Sequence, residues 1–530
     1  MSARTYISLF SSAGVGCYGF LMNHYRCIAT NELLKARINV QRANHKCEKE
    51  SGYICGDITK PETHTRLFEE IEKWKQNEGV SQVDVVFATP PCQGMSTVNY
   101  KKTDHEQIRN SLVVEAIKLI KEIHPKVFIF ENVRAFMTSV CTDVSGKDML
   151  IKDSIFSNLS ESYNIYWKVV NFKDFGVPSS RPRTLVIGTS KRIQDLSPLS
   201  LFPTRRKEIT LREAIGGFPR LEFGAKDAVD PLHFARPFPE HEIPWIADLS
   251  EGQSAFDKPK DQQPYKIEKD GTRVVLKGAY MGNKYRRLFW DKPGACIATR
   301  NDVLSSQDTI HPCDNRVLSI RELMRVMTIP DSFRWTNEDD SLTVQNSTQY
   351  LARHEMNIRR CIGEAVPTEI IRCISEKIQM MLDYVDSIES GKRILENYYS
   401  KNHEYLRPQS SITEEIINCD DSLQNVSIAF KSRQGFLRFA PQLASYYATA
   451  NEIKYVIIGL SVAEIEKVKE DLSLLKLGDN VSVSFIRYDN HQHFDYVVDT
   501  TIKPFDNSRQ IEMDLSNLIK GEKKYGQLNS

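Results

Sequence analysis

A cysteine, three carboxylates and two arginines occupy the positions where an α/β sheet does its chemistry. The apolar run Val83-Asp84-Val85-Val86-Phe87-Ala88 reads as a buried parallel strand that stops at Thr89-Pro90-Pro91, directly before Cys92. Proline fixes φ and removes a backbone donor, so the strand ends there and the following loop is stiff. Open α/β sheets bind ligands beyond the carboxyl ends of their strands, and the Cys92 thiol is delivered to that edge. Arg26-Cys27-Ile28-Ala29-Thr30 runs into Asn31-Glu32, and Tyr53-Ile54-Cys55 into Gly56-Asp57-Ile58. Glu32 is placed to accept hydrogen bonds from ribose hydroxyls and Asp57 from an exocyclic amine of adenine. A third acid closes the strand Pro125-Lys126-Val127-Phe128-Ile129-Phe130, at Glu131-Asn132-Val133, beside the cysteine strand if sequential strands neighbour each other. Arg181 and Arg183, in a proline-rich loop, suit clamping a polar ligand. Each residue has an ordinary alternative, since free cysteines are mostly small buried hydrophobes and acids at strand ends often cap helices. Jointly they describe a nucleophile beside a nucleoside site.

The elements that must position these residues follow from the pattern. Tyr6-Ile7-Ser8-Leu9-Phe10 is a first strand, Ser11-Ser12-Ala13-Gly14-Val15-Gly16 a turn of small residues, and Cys17 to His24 a helix. Strand, glycine turn and helix open a nucleotide-binding βαβ unit. A helix from about His105 to Ile123 buries Leu112, Ala116, Leu119 and Ile120, and an amphipathic segment spans 148–159. Strands at 163–170 and 184–188 close the sheet. From Lys191 to His311 the texture is Pro, Gly, aromatic and basic, with Arg236-Pro237-Phe238-Pro239 excluding regular helix. Gly278 to Arg287 mixes glycine, aromatic and basic residues in a way that suits phosphates and base edges. Ser319 and Glu322 form a capping box for a short helix. Ile362-Gly363-Glu364-Ala365-Val366-Pro367 reads as another βα-like turn, leading to a helix that runs to about Tyr384. After Ser387 a separate pattern of strands (454–460, 481–488, 494–498) and helices (436–450, 463–475) indicates an additional α/β domain.

Composition bounds the partners. The 530 residues exceed one core, so two to four domains are expected. A formal charge of +1 requires any nucleic-acid surface to be local. The 11 cysteines include no C-x-x-C pair and no zinc spacing, so no metal site is expected and a reducing cytoplasm suits them. Neither a signal peptide nor a membrane-spanning run is evident, which points to a soluble cytoplasmic protein with no membrane partner.

In order, the first-turn glycines, Pro90-Pro91-Cys92-Gln93-Gly94, Glu131-Asn132-Val133, Arg181-Pro182-Arg183, Arg321-Glu322, Pro330-Asp331-Ser332-Phe333 and Gly363-Glu364-Ala365-Val366-Pro367 resemble the DNA (cytosine-5)-methyltransferases. The likeness runs from Tyr6 to about Ile378. It implies a Rossmann-like S-adenosylmethionine-dependent domain at 1–190, completed by 345–386, and a smaller target-recognition domain at 191–344. The extra α/β domain, 387–530, lies outside it. The resemblance further implies methyl transfer from S-adenosylmethionine to carbon 5 of a cytosine flipped out of duplex DNA. Cys92 would add to carbon 6 as a thiolate, making an enamine of the ring. Glu131 would neutralise charge at the N3 edge, and Arg183, with Arg181 beside it, would hold O2. The cofactor would lie against Phe10, Ser11, Ala13, Gly14 and Gly16, with Glu32 and Asp57 on its ribose and adenine. Ile58, Pro90, Glu364, Ala365 and Val366 would complete its site.

Four positions depart from the family pattern. Ser12 and Val15 stand where glycines are usual, Ser179 where a glutamine precedes the arginine pair, and Glu364 where the family has asparagine. These mark a divergent member. The expected role is that of a modification enzyme, with a cognate restriction endonuclease or other defence-system protein as partner. A tRNA cytosine-5 methyltransferase and a catalytically weak DNA-binding regulator are the alternatives; the long irregular region favours DNA. Glu452-Ile453-Lys454 fits half of a nuclease signature with no convincing metal-binding aspartate before it, so the tail is expected to be accessory. Cys92→Ala is expected to abolish incorporation of labelled methyl groups into DNA while leaving S-adenosylmethionine affinity, measured by calorimetry, unchanged.

Overall fold

Apolar runs without alternation form the middle of a sheet covered on both faces. In chain order these are β1 (Thr5–Leu9), β2 (Arg26–Glu32), β3 (Tyr53–Cys55), β4 (Val85–Ala88) and β5 (Val127–Val133). The computed structural model describes residues 3–91, 112–193, 196–276 and 282–401, and beyond these 415–419, 425–430, 436, 452–460, 467–468, 481–487 and 497–502. Cys92 and the two residues after it, the start of the expected helix at His105, and residues 278–281 lie outside the described residues.

Helices α1 (Tyr18–Met22), α2 (Lys35–Ala43), α3 (Pro61–Glu78) and α4 (described over Leu112–Ile123) join the strands. Pro61 starts α3 with its φ already helical, and Gly79 ends it in the left-handed conformation at φ 67°. The hairpin β6 (Val140–Thr142) and β7 (Asp148–Leu150) leads to α5 (Ile151–Leu159), and β8 (Tyr163–Asn171) and β9 (Pro182–Ser190) complete the sheet. The strand order is β3-β2-β1-β4-β5-β9-β8, parallel through β5, with β9 antiparallel to both its neighbours. The order reverses between β1 and β4, which makes their carboxyl ends a topological switch point. At the opposite, amino-terminal edge, buried Asp84 ties three strands together: its Oδ2 accepts from Thr5 N at 2.8 Å and Thr5 Oγ1 at 3.0 Å, and Lys126 pairs with it at 2.8 Å.

The described residues of 191–344 form short elements, among them α6 (Leu211–Ile215), α7 (Ile243–Ile246), the ribbon β10 (Tyr265–Ile267) and β11 (Arg273–Val275), and α8 (Ile320–Val326). Trp245, Ile246, Tyr285, Leu304 and Ile310 form a small core of their own here. The capping box of Ser319 and Glu322 is present, and Glu322 also receives both terminal nitrogens of buried Arg316. His311, Cys313 and Asp314 lie close together, but His311 Nδ1 already accepts from the Cys313 and Asp314 amides, so its lone pair is engaged.

One expectation is corrected. The segment Ile362–Pro367 does not follow a strand; it joins two helices, α9 (Ser347–Glu364) and α10 (Thr368–Lys401). The buried face of α9 includes the Glu355–Arg359 ion pair at 2.7 Å, which interrupts the apolar periodicity that marks a helix in sequence.

The chain divides into two compact units, Ser2–Gln379 and Met380–Ser530. The second holds a five-stranded sheet ordered β12 (Glu415–Cys419), β13 (Asn425–Phe430), β14 (Glu452–Leu460), β15 (Val481–Arg487) and β16 (Val497–Ile502). Its three inner strands are parallel and both edges antiparallel. Glu452–Lys454 opens β14; the first two strands were not expected from sequence, and the two expected helices lie almost wholly outside the described residues. No described helix is long and apolar enough to cross a membrane.

In the main sheet, a Cβ on Gly188 of β9 would stand 2.0 Å from Phe128 Cε1 on β5. Gly188→Ala is expected to destabilise the protein by about 1–3 kcal/mol through overpacking, read as a lower urea midpoint.

Candidate active site

Two turns meet at the switch point. The first leaves β1 with Phe10 at φ 55°, Ser12 at 45° and Gly14 at 77°, so two non-glycine residues adopt the left-handed conformation. Their surroundings over-determine that shape. Ser12 N donates to Glu32 Oε2 at 2.8 Å, Gln41 Nε2 donates to the Ser12 carbonyl at 2.6 Å, and the Ser11 and Thr30 hydroxyls meet at 2.6 Å. The second turn carries Thr89-Pro90-Pro91 out of β4. Thr89 Oγ1 donates to the Phe10 carbonyl at 2.8 Å, which locks the two turns together. Asn132 Nδ2 donates to the Pro90 carbonyl at 2.8 Å, so the end of β5 fixes the chain two residues before Cys92. Cys92 itself lies outside the described residues.

Glu131 is buried next to that anchor, and Arg183 Nε faces its Oε1 at 3.2 Å. The pairing follows from register, because antiparallel β9 puts Arg183 opposite Val133 and Leu185 opposite Glu131. Burial pushes the Glu131 carboxyl above the ordinary range, and the guanidinium groups of Arg183 and Arg181 pull it back only in part. Arg181 takes another course from the one expected. Its Nη1 donates to the Ile297 carbonyl at 3.0 Å and to Cys296 Sγ at 3.3 Å, and its Nη2 to the Gly363 carbonyl at 3.1 Å. Arg181 is thus a buried brace between three distant segments.

The acids at the other strand ends are partly exposed. Glu32 Oε1 accepts from Leu34 N at 3.0 Å, and Asp57 Oδ1 accepts from Thr59 N and Thr59 Oγ1 at 2.9 Å each. Those bonds hold the Asp57 carboxyl below its ordinary pKa, so it is an anion at neutral pH. Ile58 is buried behind it and Pro90 beneath the second turn. From the opposite side the end of α9 comes back to the first turn. Ser12 Oγ donates to Glu364 Oε2 at 3.0 Å, and a Cβ on Gly16 would stand 3.0 Å from Val366 Cβ. Ala13, Ala365 and Val366 are buried at this contact. The residues present fit a nucleoside cofactor, with a left-handed turn at the switch point, two acids at adjacent strand ends, and a wall from the returning chain.

Two residues escaped the sequence reading. Leu33, directly after Glu32, is 63% exposed at the ligand edge; its position after a strand-ending acid was the available signal. Cys296 stands against both arginines, 3.3 Å from Arg181 Nη1 and 3.9 Å from Arg183 Nη2. Burial raises its pKa, but the two guanidinium groups more than offset this and leave it lowered. Nothing in the local sequence marks it, because the contact is made across more than a hundred residues.

Fold and edge together define a nucleoside-binding α/β enzyme with a buried acid–arginine pair. Residues 4–380 match the family described as C-5 cytosine-specific DNA methylase, and the chain belongs to that family. It is a DNA (cytosine-5)-methyltransferase with S-adenosylmethionine as methyl donor. The type II methyltransferase M1.HgaI of Avibacterium volantium is 30% identical over 388 residues, spanning 70% of this chain and 97% of that one. M1.HphI of Haemophilus parahaemolyticus is 27% identical over 71% of this chain and 87% of its own length, and M.DdeI of Desulfomicrobium norvegicum 25% over 60% and 79%.

The raised pKa of Glu131 sets a pH dependence. The native state holds this proton more tightly than the unfolded chain does, so stability falls as pH climbs from the unfolded value through the higher native one. Glu131→Gln removes the titration. Urea midpoints measured from acid to neutral pH are expected to show the wild type losing stability relative to this variant as pH rises.

Proposed function

We propose that Cys92 is the nucleophile, that Glu131 and Arg183 bind the cytosine, and that the protein is the modification enzyme of a type II restriction–modification system. The observation that carries the assignment is the buried Glu131–Arg183 pair, beside a Pro90 carbonyl held by Asn132. Presented next in the chain, the Cys92 thiolate adds to carbon 6 of the flipped base and raises electron density at carbon 5. Glu131, favoured in its protonated form by burial, donates to N3 as negative charge develops there. Arg183 holds O2 and is kept in place by Glu131, while Arg181 braces the loop through Ile297 and Gly363. S-adenosylmethionine supplies an electrophilic methyl group, held by the first turn, Glu32, Asp57, Ile58 and the Glu364–Val366 segment.

Residues 191–344 are the target-recognition region in this reading. The β10–β11 ribbon presents exposed Lys266, Lys269 and Arg273 to a duplex. The modification role is supported by the type II names of the relatives, and with it we infer a cytoplasmic protein that works alongside a cognate endonuclease. Bisulfite sequencing of DNA from cells producing the protein is expected to show protected cytosines at one short recurring sequence. Protection absent, or scattered without sequence preference, would overturn the reading.

A further inference from the structure

Ser12 and Glu364 both depart from the family pattern, lie 352 residues apart, and touch. A third residue explains how they coexist. Arg37 on α2 donates from Nη2 to both oxygens of Glu364, at 3.1 and 3.0 Å. Its Nη1 donates to Asn357 Oδ1 and to Cys361 Sγ, each at 2.6 Å. The Arg37 side chain is 3% exposed and that of Glu364 35%, so the pair has a buried foot and a face open to the ligand edge. Ser12 is fixed at all three of its polar groups, the amide by Glu32, the carbonyl by Gln41 and the hydroxyl by Glu364.

The chemistry of the ligand makes the pairing matter. S-adenosylmethionine carries an amino-acid carboxylate as well as an ammonium, and an asparagine at position 364 would add no charge to the edge that receives it. A bare glutamate there would repel the carboxylate. It would also leave Ser12, held at φ 45°, without the partner that offsets its backbone strain. A buried guanidinium bonded to both carboxylate oxygens neutralises the charge and aims one oxygen at Ser12.

We propose that Arg37 is a positioning residue for cofactor binding. It neutralises Glu364, and Glu364 in turn holds Ser12 and the first turn in the shape that receives the ligand. Arg37, Glu364 and Ser12 therefore act as one unit, replacing the glycine and asparagine usual in the family. This rests on the placement of S-adenosylmethionine against the first turn.

The test titrates S-adenosylmethionine into the full-length protein by calorimetry, comparing wild type with R37A, R37K, E364Q, R37A/E364Q and, as a control on the placement, E32A. R37A is expected to weaken binding about tenfold, with kcat at saturating cofactor nearly unchanged. R37K is expected to lie between it and wild type. Removing the stranded charge should rescue the defect, so R37A/E364Q should bind within about threefold of wild type. A double variant as weak as R37A would overturn the proposal, because Arg37 would then only fill space. Weakening by E32A with none by R37A would overturn it and leave the cofactor placement standing. Unchanged affinity in both E32A and R37A would overturn the placement, and the proposal with it.

Discussion

No atom fits between Gly19 and the start of α10. A Cβ on Gly19 would lie 2.5 Å from Arg372 N and 2.7 Å from the Thr368 carbonyl, both of them backbone. Only glycine lets α1 lie this close, and the wall opposite the first turn depends on that closeness. It allows Thr368 Oγ1 to reach the Val15 carbonyl at 3.0 Å and Asn23 Nδ2 to reach the Arg372 carbonyl at 2.7 Å. It seats Val366 against Gly16 and brings Glu364 to Ser12. A sheet whose switch point would otherwise open to solvent on one side gains a wall.

Charge at that edge is managed by pairing buried groups across the fold. Glu131 is costly to ionise where it sits, and Arg183 compensates from the neighbouring antiparallel strand. Arg181 and Arg183 repel each other, and both lower the pKa of the Cys296 thiol that stands against them. Arg37 and Glu364 repeat the arrangement at the first turn. In each case one partner comes from the sheet or its first helices, and the other from the chain after residue 290 or from a strand that runs against the rest. The active edge is thereby assembled from pieces that are inert alone.

That assembly decides what could be read in the sequence. Strand ends were legible because proline and acid punctuate apolar runs locally: Glu32 finishes β2, Asp57 and Pro90 follow β3 and β4, and β5 runs two residues past Glu131. The Ser319–Glu322 box was legible because a cap spans three residues. Helix α9 was not, since buried Glu355 and Arg359 occupy positions where a helical stripe should be apolar. Arg37 and Cys296 were invisible for a related reason, because their partners lie more than a hundred residues away and neither sits in a motif. Arg181 was found by its motif, but its neighbours give it the work of a brace. Motif residues announce chemistry, whereas the charges that keep them in place are set by tertiary contact alone.

The bond from Thr368 to Val15 spans 353 residues. During synthesis the amino-terminal strands can pair as soon as they emerge, since β1, β2 and β3 lie within the first 55 residues. The wall opposite the first turn cannot form until more than three hundred further residues have been made. At ribosomal speeds of roughly 5–20 residues per second, the wait is on the order of half a minute. Throughout that interval the nascent chain holds a half-built nucleoside edge, so the ability to modify DNA arrives late.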